Sequence, residues 1–231
     1  MGDRSALWAL VPVKNLQHAK QRLASVLDAE ERRGLFRAML EDVLSTLSQC
    51  EALAGTVLVT RDREARGLAA RYGARVLEEE HNRGHTAASS FGARALAQEG
   101  ASGMLQLPAD IPLITPQDID ALLQVHAGAP AVTLAPSRDE QGSNAVACSP
   151  PDVLPLRFGD DSFFPHLRRA RALGIEPGVV HRPGLALDVD TPEDLLAFLA
   201  APSATRAYDY LKASGIADRI VATVDAQSAP P

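Results

Sequence analysis

The feature that most narrows the fold is an alternation of two residue patterns. Seven short runs rich in apolar and β-branched residues are separated by longer stretches whose apolar residues recur every three or four positions. The runs are Leu7–Val13, Thr56–Thr60, Arg75–Glu78, Met104–Leu107, Ala131–Pro136, Asn144–Cys148 and Leu185–Val189, and each is read as a strand. After the first, Asp28 and Glu31 make a capping-box pattern. Leu35, Phe36, Met39, Leu40, Val43, Leu44 and Leu47 then line one face of a helix. The same reading places helices over Arg63–Tyr72, Thr86–Gln98, Pro116–Val125, Ser162–Leu173 and Pro192–Leu199. Strand and helix in alternation imply βαβ units, hence an α/β, Rossmann-like fold with a mainly parallel sheet and helices on both faces. Residues 1–222 are expected to form one domain, and residues 223–231, ending in "DAQSAPP", a disordered tail.

In such sheets ligands sit beyond the carboxyl ends of the strands, so ionisable groups placed there carry the functional signal. "LQLPADIPLI" is apolar except for Asp110, just past a strand end. A carboxylate left unpaired in apolar surroundings costs several kcal/mol, so Asp110 needs a partner, water or a metal. "LALDVDTPED" has the same grammar, with Asp188 and Asp190 ahead of a Thr191 N-cap and Pro192. Thr115 and Pro116 play those parts after Asp110. On a strand Asp188 and Asp190 face the same side, and with Asp110 they can surround one point. Three clustered carboxylates repel unless a divalent cation joins them, and hard oxygen ligands suit Mg²⁺ or Mn²⁺. The alternative is that each aspartate is a local cap or turn residue, the role assigned to Asp194.

The first strand runs into "VKNLQHAKQRL", which brings Lys14, Lys20 and Arg22 to the first βα turn. Three cations there, opposite the carboxylates, suit a polyphosphate; the alternative is an ordinary solvated loop. Several chemistries are excluded. The net charge of −6 argues against a nucleic-acid or anionic-membrane partner. Cys50 and Cys148 lack metal-ligand spacing and fit a reducing cytosol. "ALWALVPV" is too short for a signal peptide or membrane span, so a cytoplasmic protein is expected. Neither a Walker pattern nor GxGxxG occurs, and His81 and His85 of "HNRGH" do not form a zinc helix motif.

With "VPVKNLQHAKQRL", "LQLPADIPLIT", "APSRDEQGSNAV", "RFGDDSFFPH" and "LALDVDTPEDL" in this order, the chain resembles a known family over about residues 6–200. These are the 2-phospho-L-lactate guanylyltransferases of coenzyme F420 biosynthesis, with their phosphoenolpyruvate and 3-phosphoglycerate variants. The resemblance implies a nucleotidyltransferase fold of the glycosyltransferase-A-like type, GTP as a substrate and Mg²⁺, or Mn²⁺, as cofactor. It assigns Asp110, Asp188 and Asp190 to metal, and Lys14, Lys20 and Asp110 to catalysis. Lys14, Lys20, Arg22, Gly84 and Pro108 would contact the nucleotide, and Ser143, Asn144, Gly159 and Ser162 the phosphorylated acid. Two positions depart from the family pattern: Ser143 replaces a threonine, and His85-Thr86 stands where a Leu-Asn pair is expected.

The implied reaction is attack by a phosphate oxygen of a three-carbon acid on the α-phosphorus of GTP, expelling pyrophosphate. A phosphate monoester has a second pKa near ~6, so no general base is required. Alanine- and arginine-rich usage tilts the expectation toward phosphoenolpyruvate or 3-phospho-D-glycerate over 2-phospho-L-lactate. Two competing readings are a nucleotidyltransferase acting on a molybdopterin or sugar phosphate, and a non-catalytic nucleotide-binding protein. Partners are expected to be small molecules, with a homodimer inferred from the family only.

Overall fold

The strand β1 (Leu7–Pro12) shows why this sheet forms. Its residues Ala9, Leu10 and Val11 are all fully buried, because both faces of the sheet are covered. Ala9 and Val11 enter one hydrophobic cluster and Leu10 the other, as the two-residue period of a strand requires. The structure, a computed structural model, describes residues 7–79, 81, 83–159 and 161–228.

The remaining strands are β2 (Leu53–Val59), β3 (Arg75–Leu77), β4 (Met104–Gln106), β5 (Ala131–Pro136), β6 (Ser143–Ser149) and β7 (Gly178–Val179). They form one sheet in the order β3-β2-β1-β4-β6-β5-β7. Only β6 runs against the others, pairing antiparallel with both β4 and β5. The sheet is mainly parallel, as expected, with one reversed strand, and the exception matters. Because β6 is reversed, its first residues, Ser143 and Asn144, lie at the edge where the parallel strands end.

One face is packed by α1 (Ala29–Leu47), α2 (Arg63–Arg71), α4 (Pro116–Val125) and α7 (Pro192–Leu199), and by α8 (Arg206–Ala213) and α9 (Ile216–Ser228). The other is packed by α3 (His85–Gln98) and α5 (Phe163–Ala172). The Asp28 carboxylate caps the Glu30 and Glu31 N–H groups at 2.9 Å, and Glu31 accepts from Asp28 N at 2.9 Å, completing the capping box. Thr115 and Thr191 head α4 and α7 in the same manner, each with a proline in the first turn. The α8 helix is capped both locally and from a distance: Thr205 Oγ1 accepts from Tyr208 N at 3.2 Å, and the Asp42 carboxylate on α1 accepts from Arg206 N at 2.8 Å and Ala207 N at 2.9 Å.

One expected strand is absent. Residues 183–186 form the short helix α6 (Pro183–Ala186), and "LDVD" follows as irregular chain, not as a strand over Leu185–Val189. Pro183 suits a helix start, and Gly184 lets the turn press against Asp118 and the Leu113 carbonyl, where a Cβ would collide. The alternating apolar pattern is real, since Leu185, Leu187 and Val189 are buried. It reflects docking of an extended segment, fastened by Val189 N to Asp110 O at 3.0 Å, and not a ladder. The seventh strand is instead Gly178–Val179. The expected tail begins inside α9, which runs to Ser228, and residues 229–231 lie outside the described residues. No described helix is long and apolar enough to cross a membrane.

Candidate active site

A cavity of about 1040 Å³ opens at the edge where the parallel strands end. Lys14, which follows β1, and Gly84, His85 and Thr86 at the start of α3 line it. Gly142, Phe158, Gly159, Asp188 and Asp190 line it as well. Gly84 stands ahead of the helix with φ 98°, a left-handed conformation that glycine tolerates and other residues rarely do.

The three cations of the first βα turn are sorted by the fold. Lys14 is exposed on the cavity wall, and Arg22 lies on the same cavity with its guanidinium 3.4 Å from Asp190 Oδ2. Lys20 is different: it is buried, adopts φ 56°, and its ammonium bonds Asp110 Oδ2 and, at 3.2 Å, Asp190 Oδ1. Burial works against its charge, but Asp110 and Asp190 outweigh it and hold the Lys20 pKa above the usual 10.5.

Lys20 corrects the picture of three bare carboxylates around one point. Among the described residues, no three His, Cys, Asp or Glu side chains form a ready metal-binding group. The lysine already spans Asp110 and Asp190. Asp188 sits apart from the lysine's bonds, held instead by Asn144. The Asn144 amide donates to Leu185 O at 2.9 Å, Ala186 O at 3.2 Å and Asp188 Oδ1 at 3.0 Å, so it fixes the backbone and carboxylate of one segment together. Burial, and next the charge of Asp110, push the Asp188 carboxyl up to about 6.

Negative charge is thus left over at Asp110 and Asp188. Asp110 Oδ1 is buried with no hydrogen-bond partner among the described residues. A lone buried carboxylate oxygen beside a second carboxylate that resists ionisation is a donor set that fits a hard divalent cation. Asp190, with two cations on it already, contributes least to that surplus.

The residues assigned to the acid divide. Gly159 lines the cavity, where a Cβ built on it meets nothing within 4 Å, whereas Asn144 is buried and is not among the lining residues. Ser143 and Ser162 are buried behind the wall: Ser143 N donates to Ser162 Oγ at 2.8 Å, and Ser143 Oγ pairs with His166 Nδ1 at 3.0 Å. Ser162 precedes α5 as its N-cap without a capping bond from its side chain. Pro108 is half-buried and is not among the residues lining the cavity.

Sequence reasoning passed over several residues of this region. His85 touches Gln106 across a 3.3 Å nitrogen contact and meets the Phe158 ring edge-on at 4.7 Å. Burial drives its pKa down to about 4, with Asp110 pulling the other way and Lys14 adding to the fall, so the ring is neutral at pH 7. Gln106 is fully buried on β4 and its Oε1 has no partner among the described residues. A glutamine inside the strand "MLQL" was the available signal. Arg138 also lines the cavity, with its guanidinium 3.1 Å from Asp194 Oδ1 and its N–H on Ala186 O at 2.8 Å.

Residues 7–228 match the family model described as "Guanylyl transferase CofC like". A phosphoenolpyruvate guanylyltransferase of Rubrobacter xylanophilus is 40% identical over 190 residues, covering 82% of this chain and 92% of that one. A 2-phospho-L-lactate guanylyltransferase of Methanothermobacter thermautotrophicus is 35% identical, covering 88% and 89%. A 3-phospho-D-glycerate guanylyltransferase of Colwellia psychrerythraea is 33% identical, covering 84% and 92%. Among solved structures, a Desulfovibrio desulfuricans G20 protein assigned as a nucleotide-diphospho-sugar transferase superposes with a TM-score of 0.74 at 17% identity, covering 92% of this chain and 97% of that one. At that identity the likeness speaks for the fold alone.

Proposed function

The chain belongs to the CofC-like guanylyl transferase family, and as a guanylyltransferase of that family we propose that it transfers GMP from GTP to the phosphate of a three-carbon acid. Phosphoenolpyruvate is the first candidate, because relatives at 40% and 39% identity carry that name, with 3-phospho-D-glycerate and 2-phospho-L-lactate as the alternatives. The product is a step of coenzyme F420 biosynthesis. The observation that carries the reading is a cavity lined by the cations Lys14 and Arg22 and the carboxylate Asp188, with Asp110 near enough for its charge to raise the Asp188 pKa.

In the proposed reaction an oxygen of the acid's phosphate forms a bond to the α-phosphorus of GTP, and the bond from that phosphorus to the bridging oxygen of the β-phosphate breaks. Pyrophosphate leaves with the electron pair. The attacking phosphate is already largely dianionic at neutral pH, since its second pKa is near ~6, and no side chain has to take its proton. The barrier is repulsion between two anions, so catalysis reduces to positioning and charge neutralisation.

Asp110, Asp188 and Asp190 are the residues we assign to a divalent cation, Mg²⁺ or Mn²⁺, which when bound would supply positive charge against the repulsion of the two phosphates. Lys20 holds Asp110 and Asp190 in place, and Asn144 does the same for Asp188. Lys14 and Arg22 face the cavity where the triphosphate would lie and would neutralise the departing pyrophosphate. Gly84 and Pro108 remain our candidates for the nucleotide, Gly159 and Asn144 for the acid, with Ser143 and Ser162 supporting them from behind.

The test is a pyrophosphate-release assay crossing ATP, GTP, CTP and UTP with the three acids, with and without Mg²⁺. Release with GTP and one of the acids, dependent on metal, is expected. Turnover with no GTP pairing above background would overturn the proposal, and turnover with a sugar phosphate or molybdopterin substrate would redirect it.

A further inference from the structure

Phe158, which precedes Gly159 on the cavity wall, is held more tightly than a loop residue needs to be. The hydroxyl of Thr86, on the first turn of α3, accepts the Phe158 N–H at 2.9 Å and lies 3.3 Å from the Phe158 carbonyl, to which it donates. One side chain thereby satisfies both backbone polar groups of one residue. The Phe158 ring stands edge-on between two imidazoles, His85 at 4.7 Å and 88° and His166 at 5.3 Å and 70°.

His166 is itself fully determined. Its Nε2 accepts the Arg157 N–H at 3.0 Å, so its proton sits on Nδ1 and is donated to Ser143 Oγ at 3.0 Å. Residues 157–158 are therefore fastened to α3 on one side and to α5 and β6 on the other. His85 and Thr86, which grip Phe158, line the cavity with Lys14, and so does Gly159, where a Cβ would meet nothing within 4 Å. Any shift at the start of α3 is passed to Gly159 through a rigid aromatic and a two-way hydrogen bond, with no intervening flexible side chain.

We infer that Thr86, clasping Phe158 between His85 and His166, is a positioning residue that sets Gly159 for the acid substrate and couples it to the nucleotide side of the cavity. This rests on the reading that Gly159 serves the acid and Gly84, ahead of α3, serves GTP. Valine at position 86 has nearly the shape of threonine but neither accepts nor donates, so it leaves both Phe158 groups unpaired; serine keeps the hydroxyl.

The test compares wild type, Thr86→Val and Thr86→Ser as full chains, with Thr86→Ala added in case the valine variant does not fold. Three readouts are taken: amide hydrogen exchange at Phe158 with and without GTP, GTP affinity by equilibrium titration, and steady-state kinetics with phosphoenolpyruvate at saturating GTP. In Thr86→Val, exchange at Phe158 should quicken and the KM for the acid rise about tenfold, which is the loss of one to two ordinary hydrogen bonds. Meanwhile kcat and GTP affinity should stay within about twofold, and Thr86→Ser should behave as wild type. GTP should slow exchange at Phe158 in wild type and not in Thr86→Val. Unchanged exchange, an unchanged KM, or equal losses in kcat and GTP affinity would overturn the inference. If wild type accepts none of the acids, the substrate reading fails by itself, and the response of Phe158 exchange to GTP still decides whether the clasp couples residue 158 to the nucleotide.

Discussion

Replacing Asp188 with asparagine is expected to stabilise the metal-free protein while ending turnover. The Asp188 carboxyl stands at about 6 against 3.8 for an ordinary aspartate, chiefly through burial and then through the charge of Asp110. A carboxyl whose folded pKa is raised binds more protons folded than unfolded. Its contribution to stability therefore falls as pH climbs through the window from 3.8 to about 6, and stays low above it. At 1.36 kcal/mol per pKa unit the ionised side chain opposes folding by about 3 kcal/mol at pH 8, an upper figure because Asp188 is only partly buried. Asparagine keeps the shape, and its carbonyl can still accept from Asn144. A gain of about 1–3 kcal/mol in a domain of this size raises the melting temperature by roughly 3–10 °C. The assay is thermal melting of both proteins in chelator at pH 8 and pH 5. On the same linkage relation the gap should narrow to about half at pH 5, where the wild-type carboxyl is mostly protonated. A variant that melts at or below wild type at pH 8, or a gap that does not shrink at pH 5, would refute the reasoning. Retained turnover would remove Asp188 from the catalytic centre.

Two further outcomes follow from the same groups. Lys20→Met leaves Asp110 and Asp190 without their shared cation, and because both carboxylates are partly exposed the loss should be about 2–3 kcal/mol at pH 7 by urea unfolding, short of that for a sealed pair. Since the Lys20 pKa is raised, its contribution is complete below 10.5 and is lost as pH rises through the folded value, so the two proteins should converge in strong alkali; a constant gap would count against the ion pairs. His166 is fully buried and neutral, its pKa lowered to about 4 chiefly by burial, so acid protonates the unfolded chain first. Stability should fall between pH 6.5 and about 4, by about 2 kcal/mol at pH 5 from this ring, and His166→Gln should flatten that slope in chemical-denaturation profiles; an equally steep slope in the variant would show that the ring is not the source.

Much of the fold is legible because local chemistry and tertiary packing agree. The caps of α1, α4 and α7 can be seen in three or four consecutive residues, since a cap bonds only its own first turn. The continuous apolar runs of β1 and β4 mark strands covered on both faces. "LALDVD" misled because buried alternation has two causes, a ladder and a docked extended segment, and only the neighbours distinguish them. The helices α8 and α9 were not anticipated; Thr205 caps α8 locally, but the bonds to its first two N–H groups come from Asp42, 164 residues from Arg206.

The carboxylates Asp110, Asp188 and Asp190 were visible as interruptions of apolar sequence, and the cations Lys14, Lys20 and Arg22 as a cluster in the first βα turn. Those are facts of type and spacing, and the chain order alone determines them. Partnership is different, because electrostatic energy depends on distance and burial and not on separation along the chain. Folding buried Lys20 between Asp110 and Asp190 and left Asp110 Oδ1 alone beside Asp188. It also set His85 and Thr86 against Phe158, 72 residues from Thr86. The charges were written in the chain, and which of them meet was decided only when the strands closed.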